Sequence, residues 1–153
     1  MKFGLQRKHG SLNSKPVFDA VAEGLTKLGH TVVNDTVDCD VPVLWSMLWH
    51  GRMKDNKKIY ESALAQQKKV LFLEVGGIKR NITWKVALNG INRLGYFGPL
   101  DNDDSRAKLL GLKLQDIKKG DNILVCCQHD KSHQWRNQPV SYTHLRAHET
   151  LLD

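Results

Sequence analysis

The stretch Val70-Leu-Phe-Leu-Glu-Val-Gly-Gly77 decides the fold class of this chain. Five of its first six residues are apolar, and Lys68-Lys69 and the two glycines bound the run. This is the pattern of a short strand buried on both faces of a parallel sheet. Glu74 is the one polar side chain and falls at the carboxyl end, where open α/β sheets bind their ligands. We therefore predict a central strand that ends in a candidate functional residue.

Strand and helix patterns alternate on the amino-terminal side of this stretch. Apolar residues at three- and four-residue steps predict amphipathic helices, and short apolar or β-branched runs predict strands. In chain order these are a strand over Met1–Leu5, a helix from its cap at Ser14 to Gly29, a strand over Thr31–Asn34, a strand over Val41–Leu48 and a helix over Asn56–Gln67. The apolar stripes of the two helices include Leu28 and Leu64. This order predicts an α/β fold with a Rossmann-like, doubly wound, mainly parallel sheet.

The pattern changes beyond the quoted stretch. Ile82–Leu88 alternates apolar and polar residues, Asn89-Gly90 suits a tight turn, and Ile91–Phe97 offers a return limb, so a β-hairpin insertion is predicted. A short helix follows, after an acidic cap region and before Gly111. The apolar residues of Asn122–Cys127 then predict one more buried strand, and polar residues follow its carboxyl end.

The composition is typical of one globular domain. The chain has 153 residues, 41% of them hydrophobic, and a net charge of +7. This charge permits polyanionic partners without requiring them. Three cysteines, two of them adjacent, argue against a disulfide framework, and no apolar run reaches the roughly 18 residues of a membrane span. We expect a cytoplasmic protein without membrane contact, and the sequence leaves its oligomeric state open.

Glu74 is the first candidate catalytic residue. A carboxylate partly enclosed by Phe72 and Val75 has the character of a general base that accepts a proton from an attacking hydroxyl. The alternative is a structural carboxylate that accepts loop N–H groups or pairs with Lys79 or Arg80.

His129 and Asp130 are the second candidate catalytic pair. An imidazole beside a carboxylate at the end of a strand can act as an oriented base, although any loop also needs polar residues there. We expect Phe72 and Leu124 to lie side by side in one parallel layer, which would bring Glu74 and His129 into the same cavity.

A further set of residues suits substrate binding. A glycine and a serine in the first strand-to-helix loop can present backbone N–H groups to a phosphate, basic side chains can hold phosphate oxygens, and tryptophan rings can stack on a sugar or base. Core packing is the alternative for tryptophans, and it is the reading favoured for Trp45 and Trp84. The candidate substrate-binding residues are Gly10, Ser11, Trp49, Arg52, Lys131 and Trp135.

Metal and dinucleotide motifs are weak or missing. Cys126 and Cys127 with His129 and His133 lack the spacing of a zinc finger, and adjacent strand residues point to opposite faces. The tripeptide Asp38-Cys39-Asp40 matches the two-carboxylate signature of metal-dependent sugar transferases, but it is common by chance. Neither a Gly-x-Gly-x-x-Gly nor a Gly-x-x-x-x-Gly-Lys motif occurs. We predict no metal site.

The end of the chain differs in kind from the rest. Residues 140–150 read Val-Ser-Tyr-Thr-His-Leu-Arg-Ala-His-Glu-Thr and resemble the translation of an adapter used to prepare sequencing libraries. The resemblance implies that residues 140–153 are a non-native tail and that the natural protein was truncated near Pro139. The predicted Rossmann-like domain is therefore 1–139.

Four other stretches resemble uncharacterised, glycosyltransferase-like proteins of bacteriophages. They are Trp45–Arg52, Glu74–Gly77, Thr83–Gly98 and Gln128–Trp135. The resemblance implies half of a two-domain GT-B-type architecture, in which two Rossmann-like domains face each other across a cleft. This chain would be the acceptor-binding half. The full-length protein would use a nucleotide-sugar donor, and this fragment would bind no cofactor.

Two functions are therefore open. The first is sugar transfer to a hydroxyl on modified DNA or an anionic glycan. The full-length enzyme would carry out this transfer, and the fragment alone would be inactive. The second is a basic, non-catalytic nucleic-acid-binding module of a phage, suggested by the charge and by the aromatic residues near Arg52 and Lys131.

Overall fold

The computed structural model describes residues 1–113 and 116. The chain divides into two compact units, Met1–Gly98 and Pro99–Asp153. The strands of the first unit are β1 (Lys2–Leu5), β2 (Thr31–Asn34), β3 (Val41–Trp45), β4 (Leu71–Val75) and β5 (Trp84–Leu88), and its helices are α1 (Lys15–Lys27) and α2 (Asn56–Ala65). Three short 3₁₀ turns cover Arg7–His9, Gly51–Met53 and Asn92–Leu94. The described part of the second unit holds α3 (Ser105–Leu109). The predicted boundary at residue 139 lies outside the described residues.

The five strands form one sheet in the order β2-β1-β3-β4-β5. β1 pairs in parallel with both β2 and β3, and β3 pairs in parallel with β4. Only β5 runs antiparallel, against β4. The predicted α/β class with a mainly parallel sheet is confirmed, and the strand order is compatible with a Rossmann-like fold.

The two helices cover opposite faces of the sheet, which follows from the alternation of side chains along each strand. On one face Phe18 of α1 is fully buried among the odd-numbered residues of β1 and β3. On the other face Ala63 of α2 packs against Leu44 and Phe72. The stripes end earlier than predicted, because Leu28 is 74% exposed and Leu64 is 47% exposed.

The helix boundaries follow from local backbone chemistry. Gly29 has φ +78°, a conformation that L side chains rarely adopt, and it ends α1 as predicted. Ser14 stands at the predicted start of α1, but its hydroxyl donates to the carbonyl of Ser11 instead of capping the helix.

β3 is shorter than predicted, ending at Trp45 instead of Leu48. The reason is Ser46, which is buried and has φ +60°, outside the range of a strand. Its N–H still donates to the carbonyl of Leu73, so the chain turns away while attached to β4.

The predicted hairpin is correct in its first limb and wrong in its second. β5 forms, but residues 92–94 make a 3₁₀ turn, and only Leu88 and Tyr96 pair beyond it. Asn89 has positive φ, whereas Gly90 does not, so the two-residue turn that needs both is absent. A Cβ on Gly90 would lie 2.6 Å from the carbonyl oxygen of Leu94, because the chain curls back over this glycine.

The antiparallel β5 also changes the surroundings of β4. β4 is buried on both faces, as predicted, but it lies one place from the edge of the described sheet. The residues beside Phe72 are Leu44 of β3 and Ala87 of β5. Both edges of β4 are therefore occupied by described strands. Leu124, which was predicted to lie beside Phe72, falls outside the described residues.

Among the described residues, no helix combines the length and the apolar character needed to cross a membrane.

Candidate functional site

The strand order places a topological switch point between β1 and β3. β1 connects through α1 to its neighbour on one side, and β3 connects through α2 to its neighbour on the other. Loops that diverge in this way are where open α/β sheets bind ligands. We call the loops of residues 6–14 and 46–55 the β1/β3 switch point. Their 3₁₀ turns, Arg7–His9 and Gly51–Met53, are neighbours in space.

His9 and Asp55 face each other across the β1/β3 switch point. Nδ1 of His9 lies 4.0 Å from Oδ2 of Asp55, and the two side chains are 15% and 45% exposed. This separation is too long for a hydrogen bond and lies at the limit of ion-pair distance. A mostly buried imidazole therefore stands beside a carboxylate that solvent can reach.

Asn56 ties the two loops of the switch point together. It is the first residue of α2 and is fully buried. Its side-chain Nδ2 donates to the carbonyl of His9 and to the carbonyl of Trp45, both at 3.2 Å. Its Oδ1 is buried and has no hydrogen-bond partner among the described residues. One amide therefore holds the loop after β1 to the end of β3.

Gly10 and Ser11 lie in this site, but the N–H of Gly10, which was predicted to bind phosphate, is used within the protein. The N–H of Gly10 donates to the carbonyl of Arg7 at 3.1 Å. A Cβ on Gly10 would collide with the Ser14 hydroxyl and lie 3.1 Å from the ring of Phe18. Gly10 therefore allows the loop to pack closely against α1, and its N–H is not available to a ligand.

Trp49 lies in the loop after β3 and is part of an aromatic cluster. Its indole stacks on Tyr60 with ring centroids 5.5 Å apart, and it is tilted against Phe72 at 6.5 Å. One face of the indole is therefore covered by α2. Stacking of this ring on a sugar or base stays a prediction, limited to the face that Tyr60 leaves open.

Basic side chains surround the switch point. Lys8, Arg52 and Lys54 are exposed and form no ion pair within residues 1–113 and 116. Arg7 differs, since its guanidinium donates to Asp19 and to Asn34. Exposed cations of this kind can attract anions to the switch point.

Glu74 lies at the carboxyl end of β4, as predicted, and is half-buried. Its Oε1 accepts a hydrogen bond from the N–H of Val75 at 2.8 Å. Lys85 faces it across the strands, but the Lys85 ammonium donates to Asn92 at 2.7 Å. The predicted structural alternative was a carboxylate that accepts backbone N–H groups or forms an ion pair. The bond from Val75 agrees with the first part of that alternative. The role of Glu74 as a base stays a prediction.

Four predicted site residues have no described position. His129, Asp130, Lys131 and Trp135 lie outside the described residues, as does the strand predicted over 122–127. Of the described ones, Gly10 and Ser11 lie in the loop after β1, Trp49 and Arg52 lie in the loop after β3, and Glu74 lies on the neighbouring strand β4. Gly10 packs against Phe18 and Trp49 against Tyr60 and Phe72, so the two residues face different helices.

The Asp38-Cys39-Asp40 tripeptide is bound to Lys2. The Lys2 ammonium donates to Asp38 at 2.6 Å, and the Lys2 N–H donates to Asp40 at 2.7 Å. Both carboxylates thus bind the first residue of β1. This is the amino-terminal end of the strand, whereas the switch point lies beyond the carboxyl ends of β1 and β3. Within the described ranges, no group of three or more His, Cys, Asp or Glu side chains is arranged to hold a metal ion.

Sequence reasoning missed His9, Asp55 and Asn56. The signals were present, because His9 follows a strand and Asp55-Asn56 opens a helix. These residues are far apart in the chain, and only the strand order 2-1-3 shows that they meet.

Comparisons with protein-family models, with curated proteins and with solved structures find no match to this chain.

Proposed function

We propose that this chain is the acceptor-binding part of a glycosyltransferase-like enzyme and that it binds the acceptor at the β1/β3 switch point. The observation that carries the proposal is the His9 imidazole, which lies 4.0 Å from the Asp55 carboxylate where the loops after β1 and β3 diverge. The resemblance to phage glycosyltransferase-like proteins supports the choice of sugar transfer. The donor would be a nucleotide-sugar, bound by a second domain of the full-length protein.

In this proposal His9 is the base. Its neutral imidazole takes the proton from an acceptor hydroxyl as the oxygen attacks the sugar carbon and the nucleoside diphosphate leaves. Asp55 stabilises the imidazolium that forms, because opposite charges at about 4 Å attract more strongly at a partly buried site than in bulk water. Glu74, His129 and Asp130 remain alternative bases, of which only Glu74 lies on a described strand.

The acceptor class follows from the charge at the site. Lys8, Arg52 and Lys54 are exposed cations without a carboxylate partner among the described residues. They favour an anionic acceptor, for which we name hydroxymethylated DNA first and an anionic glycan second.

Transfer by the full-length protein tests the proposal. His9→Gln should lower the transfer rate by about 10² to 10⁴-fold, the usual contribution of a general base. Asp55→Asn should lower it less, since the imidazole remains. His30→Gln is the matched control, because the His30 ring packs 5.2 Å from Phe3 and away from the switch point. Unchanged transfer in His9→Gln would remove His9 as the base and return the role to Glu74 or His129.

The rival function is a non-catalytic nucleic-acid-binding module, and the same exposed cations favour it. Binding of this chain to unmodified duplex DNA should then fall steeply with salt. Arg52→Ala should reduce the slope of log affinity against log salt by about one, as expected for the loss of one phosphate contact. Binding of this kind, with no transfer and no nucleotide-sugar binding by the full-length protein, would favour the module.

A further inference from the structure

We infer that Asn56 is a positioning residue, which sets the place of His9 relative to Asp55. This inference rests on the proposed function where it concerns the reaction, but its structural part is independent of any activity. Asn56 itself contacts no reacting atom in this role.

Two consecutive residues hold His9 by two different groups. Asp55 faces the imidazole of His9 at 4.0 Å, while the Asn56 amide donates to the His9 carbonyl at 3.2 Å. The main chain of His9 is therefore bonded to the first residue of α2, and its side chain lies opposite the residue that precedes this helix. A shift of this helix end would move both contacts together.

The second bond of Asn56 fixes this arrangement to the sheet. The same Nδ2 donates to the carbonyl of Trp45, the last residue of β3. Trp45 is 2% exposed and is packed in the core. The Asn56 amide thus connects the His9 carbonyl to a strand of the core. Support of this kind from a packed element holds a catalytic group in a productive geometry.

The unpaired side-chain oxygen of Asn56 indicates that this residue serves to place His9. A buried acceptor without a partner is unfavourable, and unsatisfied buried groups are uncommon in proteins. An apolar residue of the same shape would avoid this penalty but would lose both donor contacts. The amide is the group that can bridge two carbonyls from this position.

Chemical footprinting tests the placement without an activity assay. Diethyl pyrocarbonate modifies accessible imidazoles, and peptide mass spectrometry gives the rate at His9 relative to His30. Asn56→Leu loses both donor bonds and should raise this relative rate by about five- to tenfold, the factor expected for loss of the bond to the His9 carbonyl. Asn56→Ser, which is smaller and reaches one carbonyl at most, should raise it as well and serves if the leucine variant does not fold.

A change at the other end of α2 is the matched control. Gln66 stands at the carboxyl end of α2, and its side-chain amide donates to the carbonyl and the hydroxyl of Ser62, so Gln66→Leu should leave the relative rate at His9 unchanged. An unchanged rate at His9 in both Asn56 variants would overturn the inference. So would an equal rise at His9 and His30, which would assign to Asn56 a role in general stability.

Kinetics separate this inference from the proposed function. In the full-length enzyme Asn56→Leu should lower kcat and leave KM unchanged, because a misplaced base affects the chemical step. If neither the unchanged enzyme nor any variant transfers sugar, the proposed function fails. A raised modification rate at His9 in the Asn56 variants would still support the role of Asn56 in placing His9. Full kcat in an Asn56 variant with a raised footprint would overturn the catalytic part of the inference.

Discussion

Asn89 and Val70 are joined by two hydrogen bonds that run in opposite directions. The N–H of Asn89 donates to the carbonyl of Val70 at 2.7 Å, and the N–H of Val70 donates to the Asn89 side-chain oxygen at 3.0 Å. The side chain of Asn89 thus extends the antiparallel pair of β4 and β5 at its open end, beyond the Leu71–Leu88 pair. Asn89 also has φ +61°, a conformation that asparagine tolerates better than most residues.

Substitution of Asn89 should separate these two effects. Asn89→Ala loses the side-chain bond and forces alanine into positive φ, so we expect a loss of about 2 kcal/mol in the free energy of unfolding. Asn89→Gly keeps the backbone conformation and should lose about half as much. Urea unfolding followed by circular dichroism measures both. Equal stability of the two variants would show that the positive φ costs nothing.

Gly76 and Gly77 should respond differently to alanine. A Cβ on Gly76 would overlap the hydroxyl and carbonyl oxygens of Thr83 and lie 2.7 Å from its carbonyl carbon, whereas a Cβ on Gly77 meets nothing within 4 Å. Gly76→Ala should therefore cost about 1–3 kcal/mol of unfolding free energy, and Gly77→Ala should change it by less than about 0.5 kcal/mol. Similar unfolding midpoints for the two variants would contradict the close approach of Thr83.

The stability should depend on Asp19 in acid. The ammonium of Lys15 and the guanidinium of Arg7 hold the pKa of Asp19 below its ordinary value of 3.8. A carboxyl whose pKa is lower in the folded state stabilises the fold above the unfolded pKa, and this contribution disappears as the pH falls through the folded pKa. Asp19→Asn should therefore lower the urea midpoint at pH 6, by an amount that shrinks below pH 3.8. A constant difference across this range would exclude the linkage.

Cys39 should be unreactive in the folded protein. The thiol is 4% exposed, and burial raises its pKa above the ordinary value. Because the thiolate is the form that reacts, alkylation by iodoacetamide at pH 8 should be slow at Cys39 and fast in denaturing urea. Peptide mass spectrometry separates this site from Cys126 and Cys127. Equal rates with and without urea would show that the thiol is accessible.

The pattern of apolar residues was sufficient to predict most of the elements. The β2 bounds agree with the prediction at both ends, and the other helices and strands of the first half differ by a few residues. Spacing carries this information because a buried strand and an amphipathic helix need different periods. It carries no information about strand direction, so the antiparallel course of β5 was not foreseen.

Two features of the site depended on tertiary structure. Serine rarely adopts positive φ, so nothing in the sequence indicated that Ser46 would end β3. The approach of His9 to Asp55 follows from the order in which the strands lie, which local patterns do not encode. The positions of Gly10 and Trp49 were foreseen, but their neighbours Ser14 and Tyr60 were not.

The antiparallel pairing of β4 with β5 has a consequence for the folding pathway. Val75 pairs with Trp84 after a short loop, whereas Phe3 must find Val41 across a helix and another strand. Local contacts cost less chain entropy to close, so the β4–β5 pair should form early and β1 should join later. Mutations at the turn of this early pair would then slow refolding, while those in β1 would mainly speed unfolding.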